Sequence, residues 1–209
     1  MSEDTVAIDA RALDGAAAYK LISGAVTPRP IAWVSSLNDD GSVNLAPFSS
    51  FVFLTYDPPK IGISIGPGVA RLKHTLRNIE ARREFVVNSV SEPQLQAMAE
   101  TSGHYPLGVS KAIAANIALA PAPHVAVPRV RESDIALECL LERVVPLEDR
   151  DAHRFVIGRV IAFVVKEAVL RGDRIDPHVY RPVGRIGGPL YAMPGEIRHA
   201  SPSRPIAET

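Results

Sequence analysis

The segment best suited to chemistry is Gly66-Pro67-Gly68-Val69-Ala70-Arg71-Leu72-Lys73-His74-Thr75. Its glycines let the backbone approach a ligand closely, and a helix that starts here offers free N–H groups and a positive dipole end. Arg71 can bind a phosphate through two parallel hydrogen bonds, Lys73 adds a point charge and the Thr75 hydroxyl can donate. The combination predicts an anion pocket. A solvated first helical turn with two surface cations remains the alternative.

A second source of anion-binding groups is the run Asn44-Leu45-Ala46-Pro47-Phe48-Ser49-Ser50. Small and hydroxylated residues interrupt what is otherwise a good strand, and Pro47 removes a donor from the hydrogen-bond ladder, which indicates a sheet edge or a bulge. Such a break frees backbone amides and the hydroxyls of Ser49 and Ser50 to face a ligand. The alternative is an ordinary strand irregularity with polar side chains pointing outward.

Other catalytic chemistries find little support in the sequence. Six histidines occur without an H-E-x-x-H motif or a short ligand spacing, so we expect no metal, and no G-x-S-x-G elbow is present. The single cysteine, Cys139, is in phase with Ile135, Leu137 and Leu141 on one strand face, which predicts a core residue and not a nucleophile. Trp33 fits either a core position or a place beside a ring system.

Composition indicates one ordinary globular domain. The 209 residues are 46% hydrophobic and 22% charged, and 23 basic residues balance 23 acidic ones, so a nucleic-acid partner is not expected. The acidic start Met1-Ser2-Glu3-Asp4 is followed by no long apolar run. We therefore expect no signal peptide, no membrane span and a cytoplasmic location for a single domain over residues 1–209.

Hydrophobic periodicity and turn residues predict more strands than helices. Helices are predicted at 10–22, at 71–83 and after Ser91, with an irregular region at 101–131 that holds one short helix near Lys111. Strands are predicted at 31–37, 43–46, 51–54, 60–65, 84–90, 134–145 and 155–165, followed by a short strand with a Gly172-Asp173 turn. Too few strand–helix–strand units occur for a doubly wound sheet, so a mainly β antiparallel barrel with flanking helices is predicted.

Five short segments resemble one known family when they are taken in order. They are Tyr19-Lys20-Leu21-Ile22-Ser23-Gly24, Thr27-Pro28-Arg29-Pro30-Ile31-Ala32-Trp33-Val34-Ser35, Asn44-Leu45-Ala46-Pro47-Phe48-Ser49, Lys73-His74-Thr75-Leu76-Arg77-Asn78-Ile79 and Glu84-Phe85-Val86-Val87-Asn88. The sequence resembles the flavin reductase-like, FMN-binding split-barrel family, in the branch that includes flavoredoxins. The resemblance covers about residues 19–191 and leaves a loose C-terminal tail. Where the family commonly has Lys-Asp-Thr, this chain has Lys73-His74-Thr75.

The resemblance implies a Greek-key split β-barrel that forms a homodimer and binds FMN close to the subunit interface. It assigns the phosphate to Ser49, Ser50, Arg71, Lys73 and Thr75. The full set of cofactor-binding residues it implies is Thr27, Arg29, Pro30, Asn44, Ala46, Pro47, Ser49, Ser50, Ser64, Arg71, Lys73, Thr75 and Tyr191.

Two further residues receive roles from the resemblance, each with a structural alternative. His153 begins a strand and is the candidate for contact with nicotinamide or substrate; the alternative is a surface histidine at a strand end. Tyr191, in the segment Arg185-Ile186-Gly187-Gly188-Pro189-Leu190-Tyr191, would cover the flavin ring or would serve packing alone.

The activity implied is an NAD(P)H-dependent FMN reductase that passes electrons to a monooxygenase, a redox protein or another acceptor. Two alternatives remain open at this point. One is a flavoredoxin-like electron carrier that does not turn over NAD(P)H, and the other is a flavin-binding module without redox turnover.

Overall fold

The computed structural model describes residues 4–66, 74–103, 105, 109–148 and 153–200. Four α-helices occur in these ranges: α1 (Gly15–Ala25), α2 (His74–Arg82), α3 (Leu95–Glu100) and α4 (Lys111–Ala114). Short 3-10 turns lie at Ala10–Ala12, Glu92–Gln94 and Glu167–Val169. No helix within the described ranges has both the length and the apolar character required to cross a membrane.

Strands dominate the fold, and every described pair of strands is antiparallel. The strands are β1 (Arg29–Pro30), β2 (Ala32–Leu37), β3 (Val43–Phe48), β4 (Phe51–Tyr56), β5 (Pro59–Ile65), β6 (Glu84–Asn88), β7 (Leu119–Ala120), β8 (Arg129–Val130), β9 (Ile135–Pro146), β10 (Arg154–Val165), β11 (Leu170–Arg171), β12 (Arg174–Ile175), β13 (Gly184–Gly187) and β14 (Leu190–Ala192). Seven of them form one sheet in the order β3-β2-β6-β9-β10-β5-β4, and β1-β13-β14 form a second. The remaining pairs are β7-β8 and β11-β12.

The connection between β3 and β4 forces the large sheet to curl. These two strands lie at opposite ends of the strand order, yet only Ser49 and Ser50 join them in the chain. Two residues span only about 7 Å, so the two sheet edges must approach each other, as in a barrel left open along one line. The predicted mainly β barrel is confirmed, and the place of Pro47 on an edge strand is confirmed with it.

Alternation along the strands fills the barrel interior with one apolar cluster. The buried members of this cluster are Ala32, Val34, Phe48, Ile61, Ile63, Ile65, Leu76, Ile79, Phe85, Val87, Cys139, Leu141, Val156 and Val160. Cys139 is fully buried, and its burial, with a smaller effect from Glu138, raises the pKa of its thiol. The prediction that Cys139 is a core residue is therefore confirmed. A thiol held protonated in this way is a poor nucleophile.

A second apolar layer covers the outer face of the sheet. Trp33 is fully buried there in a cluster that includes residues of α3, α4 and β8, and its indole Nε1 donates to Thr101 Oγ1 at 2.9 Å. Trp33 is thus a core residue. Beside this cluster, Glu84 and the fully buried Glu138 accept hydrogen bonds from the backbone of residues 122–127, at 2.9 Å from Ala126 N and 2.7 Å from His124 N. These carboxylates hold the outer segment against the sheet.

The predicted N-terminal helix differs from the observed structure. The helix predicted at 10–22 is divided, because the Asp14 side chain accepts a hydrogen bond from Ala17 N at 2.7 Å and starts α1 at Gly15. The predicted irregular region contains the short pair β7-β8 besides the expected helix near Lys111. Strands of two residues are too short to show periodicity in a sequence.

Candidate functional site

Four polar side chains meet where the small sheet approaches the β3–β4 connection, and we call them the arginine cluster: Arg29, Ser49, Arg185 and Tyr191. Arg29 lies directly opposite Arg185 across β1 and β13, and Arg185 lies opposite Tyr191 across β13 and β14. The Nε of Arg29 is 3.5 Å from Ser49 Oγ. The Arg185 guanidinium lies over the Tyr191 ring, 4.6 Å from its centroid, and donates to the Tyr191 hydroxyl.

The helix before this cluster fixes the position of Arg29. Its Nη1 donates to the carbonyl oxygens of Ser23 and of Val26, the latter at 2.6 Å. These carbonyl oxygens lie in the last turn and at the C-cap of α1, where backbone acceptors have no partners within the helix. Arg29 therefore terminates α1 and reaches Ser49 with the same guanidinium, so two of the residues predicted to bind the cofactor lie together.

A second group of predicted residues lies under the start of α2. Asn44 Nδ2 donates to Thr75 Oγ1 at 2.9 Å and to Ser36 Oγ at 3.3 Å. Asn78 Nδ2 donates to the same Ser36 hydroxyl at 3.2 Å and to Asn38 Oδ1 at 2.8 Å. Thr75 accepts in its hydrogen bond, and its own hydroxyl proton has no acceptor among the described residues. The network thus fixes Thr75 at the first turn of α2 and leaves its hydroxyl proton available to donate to a ligand.

A third group lies at the seam of the barrel, where β4, β5 and β10 begin or end. Ser64 N donates to Ser50 O at 2.8 Å, which joins the β3–β4 connection to β5. His153 packs its ring on Gly66 so closely that a Cβ there would lie 2.8 Å from Nε2. His153 Nδ1 is 2.5 Å from Glu148 Oε1, and both side chains are about half exposed. Ser50, Ser64 and His153 are therefore neighbours at the end of β5 that leads into the glycine-rich segment.

The remaining predicted residues fall in four different settings. Thr27, which forms a cis peptide bond with Pro28, and Pro30 of β1 are both exposed. Ala46, in contrast, packs against the barrel interior. Pro47 is opposite Trp33 in the β2–β3 pair. Arg71 and Lys73, the two predicted phosphate cations, lie outside the described residues.

An apolar cavity of about 620 Å³ opens beside the Thr27–Pro30 turn. Its walls come mainly from Ile31, Phe51, Leu137, Phe163, Val183 and Met193, and Arg29 and Pro30 line it as well. A volume of this size is typical of small-molecule sites. Arg29 therefore connects the cavity with Ser49, although Ser49, Ser50 and Thr75 do not line the cavity themselves.

Electrostatics at the start of α2 favour a neutral histidine. Burial lowers the pKa of His74, and the nearby charges of Arg77 and Lys111 lower it further. The resemblance to the family implies a carboxylate at this position, and this chain has His74 there. The chain thus places an uncharged imidazole beside the predicted phosphate groups, and no negative charge opposes an anion at residue 74.

Sequence reasoning assigned no role to Arg185. The segment around Arg185 drew attention only to Tyr191, because the position of Arg185 opposite Arg29 depends on a strand pair between distant parts of the chain. The signal available in the sequence was an arginine two residues before the Gly187-Gly188 pair, in a region without a nearby acid.

The barrel, its seam and the hydroxyl and guanidinium groups beside it define the class of split-barrel flavoproteins. The fold matches a flavin reductase with a split barrel domain from Shewanella frigidimarina at a TM-score of 0.78, 21% identity and coverage of 92% of this chain and 96% of that chain. The profile of the flavin reductase like domain matches residues 24–195, and the chain belongs to this family. Family membership makes it a flavin-related oxidoreductase.

Two solved structures are more similar in sequence. Nitrilotriacetate monooxygenase component B from Bacillus cereus is 34% identical, with a TM-score of 0.91 and coverage of 95% of this chain and 100% of that chain. The 2-nitrobenzoate 2-nitroreductase of Pseudomonas fluorescens is 33% identical, with a TM-score of 0.87 and coverage of 97% and 100%.

The residues in place fit a flavin mononucleotide. Hydroxyls of Ser49, Ser50 and Thr75 and the guanidinium of Arg29 are donors suited to a phosphate. The apolar cavity beside Arg29 suits a flat, largely apolar ring system. The Arg29 guanidinium and the Ser49 hydroxyl that it contacts thus lie next to an apolar volume, as a phosphorylated flavin requires.

Proposed function

We propose that this protein binds FMN non-covalently and is an NAD(P)H-dependent flavin reductase that supplies electrons to a partner protein or acceptor. The observation that carries the proposal is the position of Arg29, which contacts Ser49 on one side and lines the apolar cavity on the other. One side chain therefore links the predicted phosphate wall to a volume that suits a flavin ring.

Bound FMN would supply the redox chemistry, and the protein would supply binding, orientation and exclusion of water. Ser49, Ser50 and Thr75, together with the predicted cations Arg71 and Lys73, hold the phosphate. The walls of the cavity exclude water from the ring.

His153 is proposed to contact the nicotinamide or the substrate. Its hydrogen bond to Glu148 orients the imidazole, and its half-exposed position at the seam leaves it open to a second ligand. The seam also carries Ser50 and Ser64, so this ligand would lie next to the proposed cofactor site.

The destination of the electrons is proposed from the relatives. A likeness to a monooxygenase component supports a partner monooxygenase, and a likeness to a nitroreductase supports direct reduction of a small organic acceptor.

We also propose that the protein is a homodimer whose second copy covers β4. This edge strand exposes residues on both of its faces, including Val52, Phe53, Leu54 and Tyr56, of which Phe53 is 65% and Tyr56 86% exposed. An exposed apolar edge strand is a common site of association. An identical copy is favoured because α1, which is largely apolar, also has no buried residue.

Anaerobic mixing of the purified protein with FMN and then with NADH or NADPH tests the activity. We expect the protein to bind FMN and the flavin absorbance to fall on addition of one nicotinamide. Flavin that binds but stays oxidised with both nucleotides contradicts the reductase proposal. Reduction by a reduced redox protein alone would then identify an electron carrier, and no reduction by either donor would identify a binding module.

A further inference from the structure

The two arginines of the arginine cluster are arranged as a binding site for an anion. Directly opposite residues on antiparallel strands have Cβ atoms about 4.5–5.5 Å apart, and like charges in such a pair are destabilising. Arg29 and Arg185 form such a pair, both are half-buried, and neither makes an ion pair with a carboxylate of the described residues. A bound anion between them would offset the repulsion.

Donors remain available on both guanidiniums. Arg29 uses Nε and Nη1 for Ser49 and for the end of α1, which leaves the two protons of Nη2. Arg185 uses only Nη1, toward the Tyr191 hydroxyl, which leaves Nε and Nη2. No acceptor for these N–H groups occurs in the described part of the chain. A planar fork of free N–H donors matches the oxygen pairs of a phosphate or pyrophosphate.

Two hydroxyls complete the set of donors. Ser49 Oγ and the Tyr191 oxygen both accept from an arginine, so the proton of each hydroxyl is free to donate elsewhere. The cation over the Tyr191 ring also holds that ring in a fixed orientation. Four side chains from β1, β13, β14 and the β3–β4 connection thus present donors, and none of them presents a negative charge.

We infer that Arg185, together with Arg29, binds a phosphate group of a nucleotide at the arginine cluster. The inference rests on the proposed function only for the choice of nucleotide. That nucleotide is either FMN or the dinucleotide co-substrate, and the chemistry at the arginines is the same for both.

Isothermal titration of the full-length protein with sodium pyrophosphate, ADP-ribose, FMN and riboflavin tests the inference. Arg185→Gln is expected to weaken pyrophosphate about tenfold or more, because a charged hydrogen-bond donor is lost. Arg185→Lys keeps the charge without the fork, and we expect an intermediate loss. Arg171→Gln is the matched control, since Arg171 is an exposed arginine of another short strand pair, and its affinities should stay within twofold of wild type.

The nucleotides separate the two sources of the phosphate. If Arg185→Gln weakens FMN much more than riboflavin, the site holds the phosphate of the flavin. If it weakens ADP-ribose and leaves FMN unchanged, the site holds the co-substrate. Equal losses for FMN and riboflavin with no change for ADP-ribose and pyrophosphate overturn the inference, and so does an Arg185→Gln protein indistinguishable from the Arg171 control.

Folding is checked separately because Arg185 packs on Tyr191. Thermal unfolding of each variant identifies a general loss of structure. Tyr191→Phe keeps the ring and removes only the hydroxyl, so it tests the site if Arg185→Gln does not fold. In that case, a pyrophosphate affinity that is unchanged in both Tyr191→Phe and Arg185→Lys would overturn the inference. A wild-type protein that binds pyrophosphate through Arg185 but is never reduced by NADH or NADPH would contradict the reductase proposal alone.

Discussion

Replacement of Thr75 by valine tests the buried network under α2. The Thr75 side chain is 1% exposed and its oxygen accepts from Nδ2 of Asn44, which is itself 2% exposed. Valine has the same shape but cannot accept, so one N–H of Asn44 is left buried without a partner, while the other keeps Ser36. An orphaned buried donor costs about 1–3 kcal/mol. For a domain of this size that loss lowers Tm by roughly 2–12 °C.

The assay combines unfolding with ligand binding. Urea and thermal unfolding of Thr75→Val give the loss of stability, and titration with FMN and riboflavin gives the loss of affinity. We expect FMN to be weakened more than riboflavin, because the Thr75 hydroxyl proton is predicted to donate to the phosphate. The control is Ser102→Ala just after α3, whose hydroxyl donates to Ala99 O at 2.6 Å but is exposed to water, so its unfolding free energy should change by less than about 0.5 kcal/mol.

Two results would refute this reasoning. A Thr75→Val protein as stable as the Ser102→Ala control would show that the buried amide of Asn44 finds another partner. Equal losses of affinity for FMN and riboflavin would show that Thr75 does not face the phosphate.

Three further predictions concern the core, the pH dependence and the assembly. Gly158→Ala should destabilise by about 1–3 kcal/mol in urea unfolding, because its Cβ would lie 2.4 Å from Phe85 Cζ, whereas Gly24→Ala, with open space around it, should be neutral or stabilising. The pKa of His74 is lowered from 6.5 on folding, so the stability that depends on a neutral His74 is fully present above pH 6.5 and is lost as the pH falls through the folded pKa. The unfolding free energy of His74→Gln should therefore fall less than that of wild type between pH 7.5 and pH 5. Phe53→Asp should shift the protein toward the single-chain mass in light scattering, and an unchanged dimer would contradict the role of β4.

Long strands and their turns could be predicted from the sequence because their signals are local. The strand over 134–145 is observed as Ile135–Pro146 and the one over 155–165 as Arg154–Val165. Alternating apolar residues report burial on one face, and the turn residues between strands report where the chain reverses. Pro47 even indicated that its strand lies at an edge, because a proline there removes no sheet hydrogen bond.

The small sheet could not be predicted in the same way. Strands β1, β13 and β14 have two to four residues each, and their pairing joins Arg29 to Arg185 across most of the chain. A local sequence pattern carries no information about a pairing between residues so far apart in the chain. The structure consequently brings together Arg29, Ser49 and Tyr191, three of the predicted cofactor-binding residues, through Arg185, to which sequence reasoning assigned no role.

The other predicted cofactor-binding residues show a similar division. Asn44 and Thr75 share a hydrogen bond, and Ser50 and Ser64 share a backbone hydrogen bond, although neither pair is close in sequence. The sequence could nominate these residues individually because their types suit an anion. Their grouping depends on the curl of the sheet, which follows from the two-residue connection between its opposite edges.

The pairing of β6 with β9 has a consequence for how this chain reaches its native state. The two strands are neighbours in the barrel but roughly fifty positions apart, whereas β2–β3, β4–β5 and β9–β10 are each joined by a connection within one hairpin. Hairpins can form early, but β6 can pair with β9 only when the two ends of the segment between Asn88 and Ile135 come together. Loop-closure entropy grows slowly, by about 0.6 kcal/mol for each doubling of length. Pairing of β6 with β9 is therefore the expected slow step of folding. Insertions into the segment between these two strands would nevertheless add little to the free-energy cost of closing that loop.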